Sequence, residues 1–374
     1  MSPPISRSVT PPSSLTWDHL DGCWNESPLK YSPNKKFIKG IISALTSGQL
    51  DIQGNDSDIK VSFDFEVVTA LPVPSPQRLN QAVVAVEFDQ DLPEPRPTLT
   101  MLLEDILNSD DDDGEIQVSD GADLVSQKPT NLVASLLAAT GPSSTPSSVL
   151  FGAYTIRPTR NGTGQCRIPP PRFIMSNSGY WMRTVDEGDC DWLGCITGAG
   201  DIIDPRTDYF GSSATMLHLH GHVLWFLWPG TESNLKRLYN AECMTLLKGM
   251  DELEGLQIVE LKAKPGGYWR LSHGSCCIYA SISLSTSAYI WTDFWSLQSW
   301  KDAMKIMNLH LSLHDEGTPY DELFLDSVEV RELEPWASLG TMLKASWGAQ
   351  RAKGEEILAW VEAFRKKIET RKAK

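Results

Sequence analysis

From residue 149 onward the chain is a succession of short apolar runs separated by glycine, proline and polar turns, at 149–156, 172–175, 191–196, 215–228, 258–263, 267–271, 276–283 and 289–295. Runs of this kind, punctuated by turn residues, read as strands. A series of short strands at even spacing points to a sandwich or a jelly roll. Eight of the 13 Trp fall between Trp181 and Trp300, which marks this stretch as the part that buries a core. After Leu297 the pattern turns helical. Trp300, Met304 and residues 307–309 suggest one helix, and Ile357, Val361, Phe364 and Ile368 form an apolar stripe on a last one.

The rest of the chain divides by composition. Residues 1–16 are rich in Ser and Pro and are expected to be disordered. Residues 17–139 read as a mixed region. Helical spacing occurs at 36–45, 99–107 and 131–139, strand alternation at 60–68 (Val61, Phe63, Phe65, Val67), and another strand at 82–88. The acidic loop at 110–113 lacks the ligand spacing of an EF-hand. Residues 140–148, Thr-Gly-Pro-Ser-Ser-Thr-Pro-Ser-Ser, are a linker. The β domain then occupies 149–297 and a helical region 298–374.

The net charge of -15 makes the chain a poor default binder of nucleic acid, because phosphate affinity comes from Lys and Arg. The charge is uneven: residues 86–125 carry 13 Asp or Glu against one Arg, and residues 351–374 carry eight Lys or Arg against four Glu. The seven Cys are scattered, odd in number and form no zinc-type pair. No signal-like apolar run opens the sequence, and no stretch reaches the roughly 18 apolar residues of a membrane span. The expectation is a reducing intracellular location, nucleus or cytoplasm, with free thiols and no membrane contact.

Two phrases carry more specific information. The first runs from Arg206-Thr207-Asp208-Tyr209-Phe210-Gly211 through Thr215 to Gly221-His222-Val223-Leu224-Trp225. The second is Lys264-Pro265-Gly266-Gly267-Tyr268-Trp269, continuing through His273-Gly274-Ser275-Cys276-Cys277. Their order and separation resemble the JmjC group of cupin-like oxygenases, more narrowly its fungal members, over about residues 170–297. The resemblance implies an α+β chain whose centre is a double-stranded β-helix (a jelly roll), flanked by an N-terminal mixed region and a C-terminal helical region.

In that family two His and a carboxylate hold Fe(II) and leave positions open for 2-oxoglutarate and oxygen. Carried onto this sequence, Asp208 matches the carboxylate, Arg206 stands in place of the first His, and Cys277 falls where the last His belongs. Val223 replaces the common 2-oxoglutarate Lys, while Thr215 and Trp225 match framework positions of the co-substrate pocket. An Arg cannot deprotonate or donate a lone pair to iron. It is expected instead to pair with Asp208 and fill the metal hole.

The resemblance therefore implies a fold that has lost its chemistry, needs no cofactor and acts by binding a protein partner. Related oxygenases dimerise through helices after the barrel, which makes a homodimer through the C-terminal helices a second expectation. The competing reading is an active oxygenase that uses Fe(II) and 2-oxoglutarate through displaced ligands. Its candidates are His273 and the trio His218, His220 and His222, which share one face if they lie on one strand. If Val223 and Trp225 face the interior, that trio faces helices or solvent instead. For Cys277, the plain alternative to a reactive thiol is a small buried apolar side chain.

Overall fold

The computed structural model describes residues 193–207, 213–296 apart from Glu242 and Ser275, 300–315 and 333–372, together with separate elements between residues 29 and 182. Two sheets dominate it. One has five strands, in the order β10 (Ile202–Thr207), β15 (Ile278–Ser283), β12 (His222–Trp228), β13 (Leu256–Lys262) and β3 (Phe65–Val67). The other has nine. Its path is β4 (Val84–Asp89), β14 (Tyr268–His273), β11 (Ser213–His220), β16 (Ser287–Ser296), β9 (Leu193–Thr197), β7 (Ala153–Ile156), β5 (Ile116–Asp120) and β6 (Asp123–Gln127), with β8 (Tyr180–Met182) also on β16. Pairing is antiparallel except where β3 joins β13. A separate ribbon joins β1 (Leu50–Ile52) to β2 (Ile59–Val61).

Chain order alternates between the sheets. Strand β9 lies in the larger sheet, β10 in the smaller, β11 in the larger, β12 and β13 in the smaller, then β14, β15 and β16 alternate again. Strands from the first 139 residues extend both sheets, since β3 pairs with β13, β4 with β14 and β5 with β7. The run expected at 60–68 is split between β2 and β3. The linker at 140–148 and the acidic loop at 110–113 lie outside the described residues.

The strand β12, His-Val-Leu-Trp-Phe-Leu-Trp, is apolar on both faces because both are covered. Its odd residues Val223, Trp225 and Leu227 pack between the sheets with Met216, Leu271, Cys277 and Tyr289. Its even residues Leu224, Phe226 and Trp228 join a second core beneath helices. Those helices are α1 (Lys35–Ser47), α3 (Glu232–Asn240), α4 (Leu246–Glu252) and part of α5 (Trp300–Asp315), which contribute Ile38, Ile41, Leu235, Leu238, Met250 and Ile306. A further helix, α2 (Leu99–Leu107), buries Leu102 and Leu103.

The α3–α4 excursion between β12 and β13 was not visible as helices in the apolar pattern. Its signals are local. The hydroxyl of Thr231 accepts from Asn234 N at 3.2 Å and caps α3; that of Thr245 accepts from Lys248 N at 3.3 Å and caps α4. Asp204 Oδ1 accepts a second α4 amide, Leu246 N, at 2.8 Å. Asn234 fastens the excursion's two ends. Its Nδ2 donates to Pro229 O at 3.0 Å and Glu254 O at 2.9 Å, and its Oδ1 accepts from Glu254 N at 2.9 Å.

At the C-terminus α5, α6 (Leu333–Lys344) and α7 (Ala349–Lys372) share a third core. The stripe Ile357, Val361, Phe364 and Ile368 is buried there against Trp300, Met307, Trp336 and Leu339. It thus packs on the chain's own helices rather than on its sheets. Gly340 and Gly354 permit the close crossing of α6 and α7: a Cβ on Gly354 would lie 2.7 Å from Gly340 O.

Candidate functional site

The space between the sheets is where the sequence placed the metal and co-substrate positions. Arg206, on β10, pairs in register with Tyr279 of β15. Its side chain is exposed, and Nε donates to Asp204 O at 3.4 Å. An exposed guanidinium does not plug a buried hole, so this part of the expectation is corrected. Asp208 lies outside the described residues. Cys277 is buried with its Sγ 3.5 Å from Ile278 O, and it packs as an apolar side chain in the inter-sheet core.

Of the three pocket positions, the structure brings two together. Val223 and Trp225 both face the inter-sheet space, and Trp225 packs edge-on against Tyr289 (centroids 5.3 Å apart) and Tyr279 (6.2 Å). Thr215 does not join them. Its neighbour Met216 faces that space, so Thr215, one residue earlier on β11, points to the opposite face. There its hydroxyl accepts from Ser272 Oγ at 3.0 Å.

The histidine trio does not share a strand. Gly221, at φ +85°, ends β11 in one sheet, and β12 starts in the other at His222. Only glycine suits that corner: besides the positive φ, a Cβ would strike the Thr286 carbonyl and lie 2.6 Å from Ser287 Cα. His222 keeps the expected outward direction, on the face of Leu224 and Phe226, and its Nε2 lies 2.7 Å from Glu260 Oε1. His220 is exposed. His218 contradicts the expectation of a face turned away from the interior. It stands two residues after Met216, so it projects between the sheets.

His273 also faces inward, beside the Tyr279 ring at 5.7 Å. It pairs with Ala214 in register, four residues from His218 along β11. At strand rise that separation is about 13 Å, too far for one ion to bridge. Among the described residues no group of three or more His, Cys, Asp or Glu is placed to hold a metal.

A row of polar side chains that the sequence gave no reason to group crosses the inner face of the larger sheet. His218 on β11 pairs with Tyr289 on β16, which pairs with Cys195 on β9. All three are buried. Burial pushes the Cys195 thiol up to about 12, with a hydrogen bond to Tyr289 opposing it. Burial also pushes Tyr289 well above the usual phenol range. Burial, chiefly, pulls His218 down to about 4. Its Nε2 lies 3.1 Å from Gly221 O, a carbonyl that accepts, so Nε2 carries the proton. The bare Nδ1 is buried without a hydrogen-bond partner. At neutral pH the row holds a thiol, a phenol and a neutral imidazole. It therefore contains neither a thiolate nucleophile nor a cation.

Among the described residues, the side chains at these positions supply neither an iron ligand set nor a cation for 2-oxoglutarate. Val223, fully buried among apolar groups, offers a carboxylate nothing, and Arg206 is at the surface. Solvating a carboxylate there without a paired cation costs several kcal/mol, on the order of an unpaired buried charge.

No protein-family model matches the chain, and no curated protein sequence does. Among solved structures it is similar to YcfD, a ribosomal oxygenase from Escherichia coli, at 12% identity and a TM-score of 0.35, over 68% of this chain and 60% of that one. A second YcfD structure gives 11% identity and a TM-score of 0.33, over 68% and 61%. The aligned part spans less than two thirds of YcfD's own length.

Proposed function

We propose that this chain is a JmjC-like double-stranded β-helix that has given up Fe(II)/2-oxoglutarate chemistry and works as a scaffold that binds a protein partner. The alternation of β9 to β16 between two sheets supports the fold, since a jelly roll winds its strands this way. The observation that carries the functional reading is the state of the interior. Val223, Trp225, Leu227 and Tyr289 pack it as a core, where an oxygenase of this type needs room, a cation and convergent metal ligands.

Among the described residues, Cys195, Cys243, Cys276 and Cys277 are free thiols. Among the described residues no helix is long and apolar enough to cross a membrane.

Calorimetry with Mn(II) and 2-oxoglutarate on untagged protein tests the reading, together with metal analysis after anaerobic purification. Neither titrant is expected to show saturable binding in the millimolar range, and iron should be substoichiometric. Tight 2-oxoglutarate binding, or succinate formed in step with an oxidised product, overturns it and restores the oxygenase reading.

A further inference from the structure

The turn between α6 and α7 exposes an aromatic side chain that the fold does not use. Trp347 is 93% exposed, and Met342, in the last turn of α6, is 57% exposed. Exposed leucines or methionines are ordinary, but an uncovered Trp forgoes the largest apolar burial of any side chain. Twelve other described bulky apolar residues of α5 to α7 are buried in their shared core, from Trp300 to Ile368, among them Met307, Leu311 and Leu333. Backbone hydrogen bonds close the tip. Ala345 N donates to Thr341 O at 3.2 Å, Ser346 N donates to Leu343 O at 2.9 Å, and Gly348 turns the chain at φ +65°.

The charge of the tip itself is positive, with Glu355 and Glu356 following it along α7. Residues 341–354 contain Lys344, Arg351 and Lys353 and no Asp or Glu, in a chain whose net charge is -15. Lys344 and Arg351 are exposed. Arg351 reaches Glu355 at 3.2 Å, a surface pair that solvent screens and that a competing carboxylate can exchange. A cationic, aromatic tip on an acidic molecule is selective. The overall field repels extended polyanions such as nucleic acid and anionic membrane, whose affinity depends on many simultaneous phosphate contacts. A short acidic segment meets only the local charge.

We propose that the α6–α7 tip, through Trp347, Met342, Lys344, Arg351 and Lys353, is a docking site for an acidic peptide segment of a partner protein that carries an apolar anchor residue. Trp347 and Met342 would cover the anchor, and the three cations would face its carboxylates. Aromatic and arginine side chains are the residue types that dominate such contacts. The inference gives the partner's chemistry for the scaffold role proposed above. It rests on that role only in taking a protein as occupant, and the 2-oxoglutarate measurement tests that role separately.

The probe is a fluorescein-labelled peptide, Asp-Glu-Asp-Phe-Asp-Asp-Leu-Glu-Asp, titrated with the full chain and followed by anisotropy at low and high salt. Saturable binding that weakens with salt is expected. Trp347→Ser should raise Kd by about tenfold or more, as loss of an anchoring aromatic does, and Lys344→Glu with Lys353→Glu should do the same. Both variants should keep the parent circular dichroism and melting temperature, because these side chains support no core. The same titration is run with oligo-dT and with phosphatidylserine vesicles. No peptide binding by folded parent protein overturns the proposal, as does binding that Trp347→Ser leaves unchanged. Tighter, Trp347-dependent binding of the oligonucleotide or the vesicles also overturns it, and assigns the tip to that polyanion.

Discussion

His222 Nε2 and Glu260 Oε1 lie 2.7 Å apart on the helix-covered face of the five-stranded sheet, joining adjacent strands β12 and β13. Four residues earlier, His218 is enclosed between the two sheets. The turn at Gly221 thus sends two similar side chains into opposite environments, one beside a carboxylate and one in an apolar interior.

The Glu260 pair makes a stability prediction. Glu260→Ala removes the acceptor of a mostly buried imidazole, and a hydrogen bond to a charged group contributes about 1.5–3 kcal/mol. Urea unfolding should show a loss of that size with an unchanged m-value. An unaltered midpoint would mean that the contact contributes nothing.

His218 makes a pH prediction. Its pKa lies at about 4 in the fold against an ordinary 6.5, so the unfolded chain binds the extra proton between those values. The stability it contributes is fully present above pH 6.5 and is lost as pH falls toward 4. The loss is on the order of a few kcal/mol. Melting temperatures measured from pH 4 to 7 should fall with acid, and less steeply in His218→Gln.

Val223 distinguishes a missing side chain from a missing site. Were the pocket intact but for its cation, Val223→Lys would restore 2-oxoglutarate binding. Because Val223 is fully buried within a packed core, the substitution should instead destabilise the fold by several kcal/mol, on the order of an unpaired buried charge. Thermal melting and calorimetry on the same sample separate the two outcomes.

The last helix is a structural member. Ile357, Val361, Phe364 and Ile368 each contribute about 1.5–3 kcal/mol by burial. Deleting residues 355–374 should uncover Trp336 and Leu339 and produce aggregation, read by light scattering. A milder probe is Gly354→Val, whose side chain has no room beside Gly340 O and the Lys344 amide. Overpacking of this kind costs about 1–3 kcal/mol.

The sequence was most legible where one rule acted alone. Apolar runs with turn residues between them located β9 and β12 to β16, because strand periodicity survives any tertiary arrangement. Helical spacing likewise located α1, α2 and α7. It failed where a single residue changed the geometry. Residues 215–228 looked like one run, and only the positive φ of Gly221 divides it between sheets and turns His218 inward. The same break made the histidine trio look like a shared face. Arg206 was read as an unsuitable metal ligand on chemical grounds alone. Its exposure was not legible, since the alternation of β10 is disturbed by a register shift between Ile203 and Arg206. The His218–Tyr289–Cys195 row joins residues almost a hundred positions apart, and no local pattern encodes such pairing.

The bonds of Asn234 have a consequence for how this molecule can be altered. Because they clasp Pro229 to Glu254, the excursion through α3 and α4 leaves and re-enters the sheet at one point. The register of β12 on β13 is then set without reference to how much chain lies between them. The link between α3 and α4, beside the exposed Asn240 and Cys243, is accordingly the place to graft a reporter domain or to cut the chain for circular permutation.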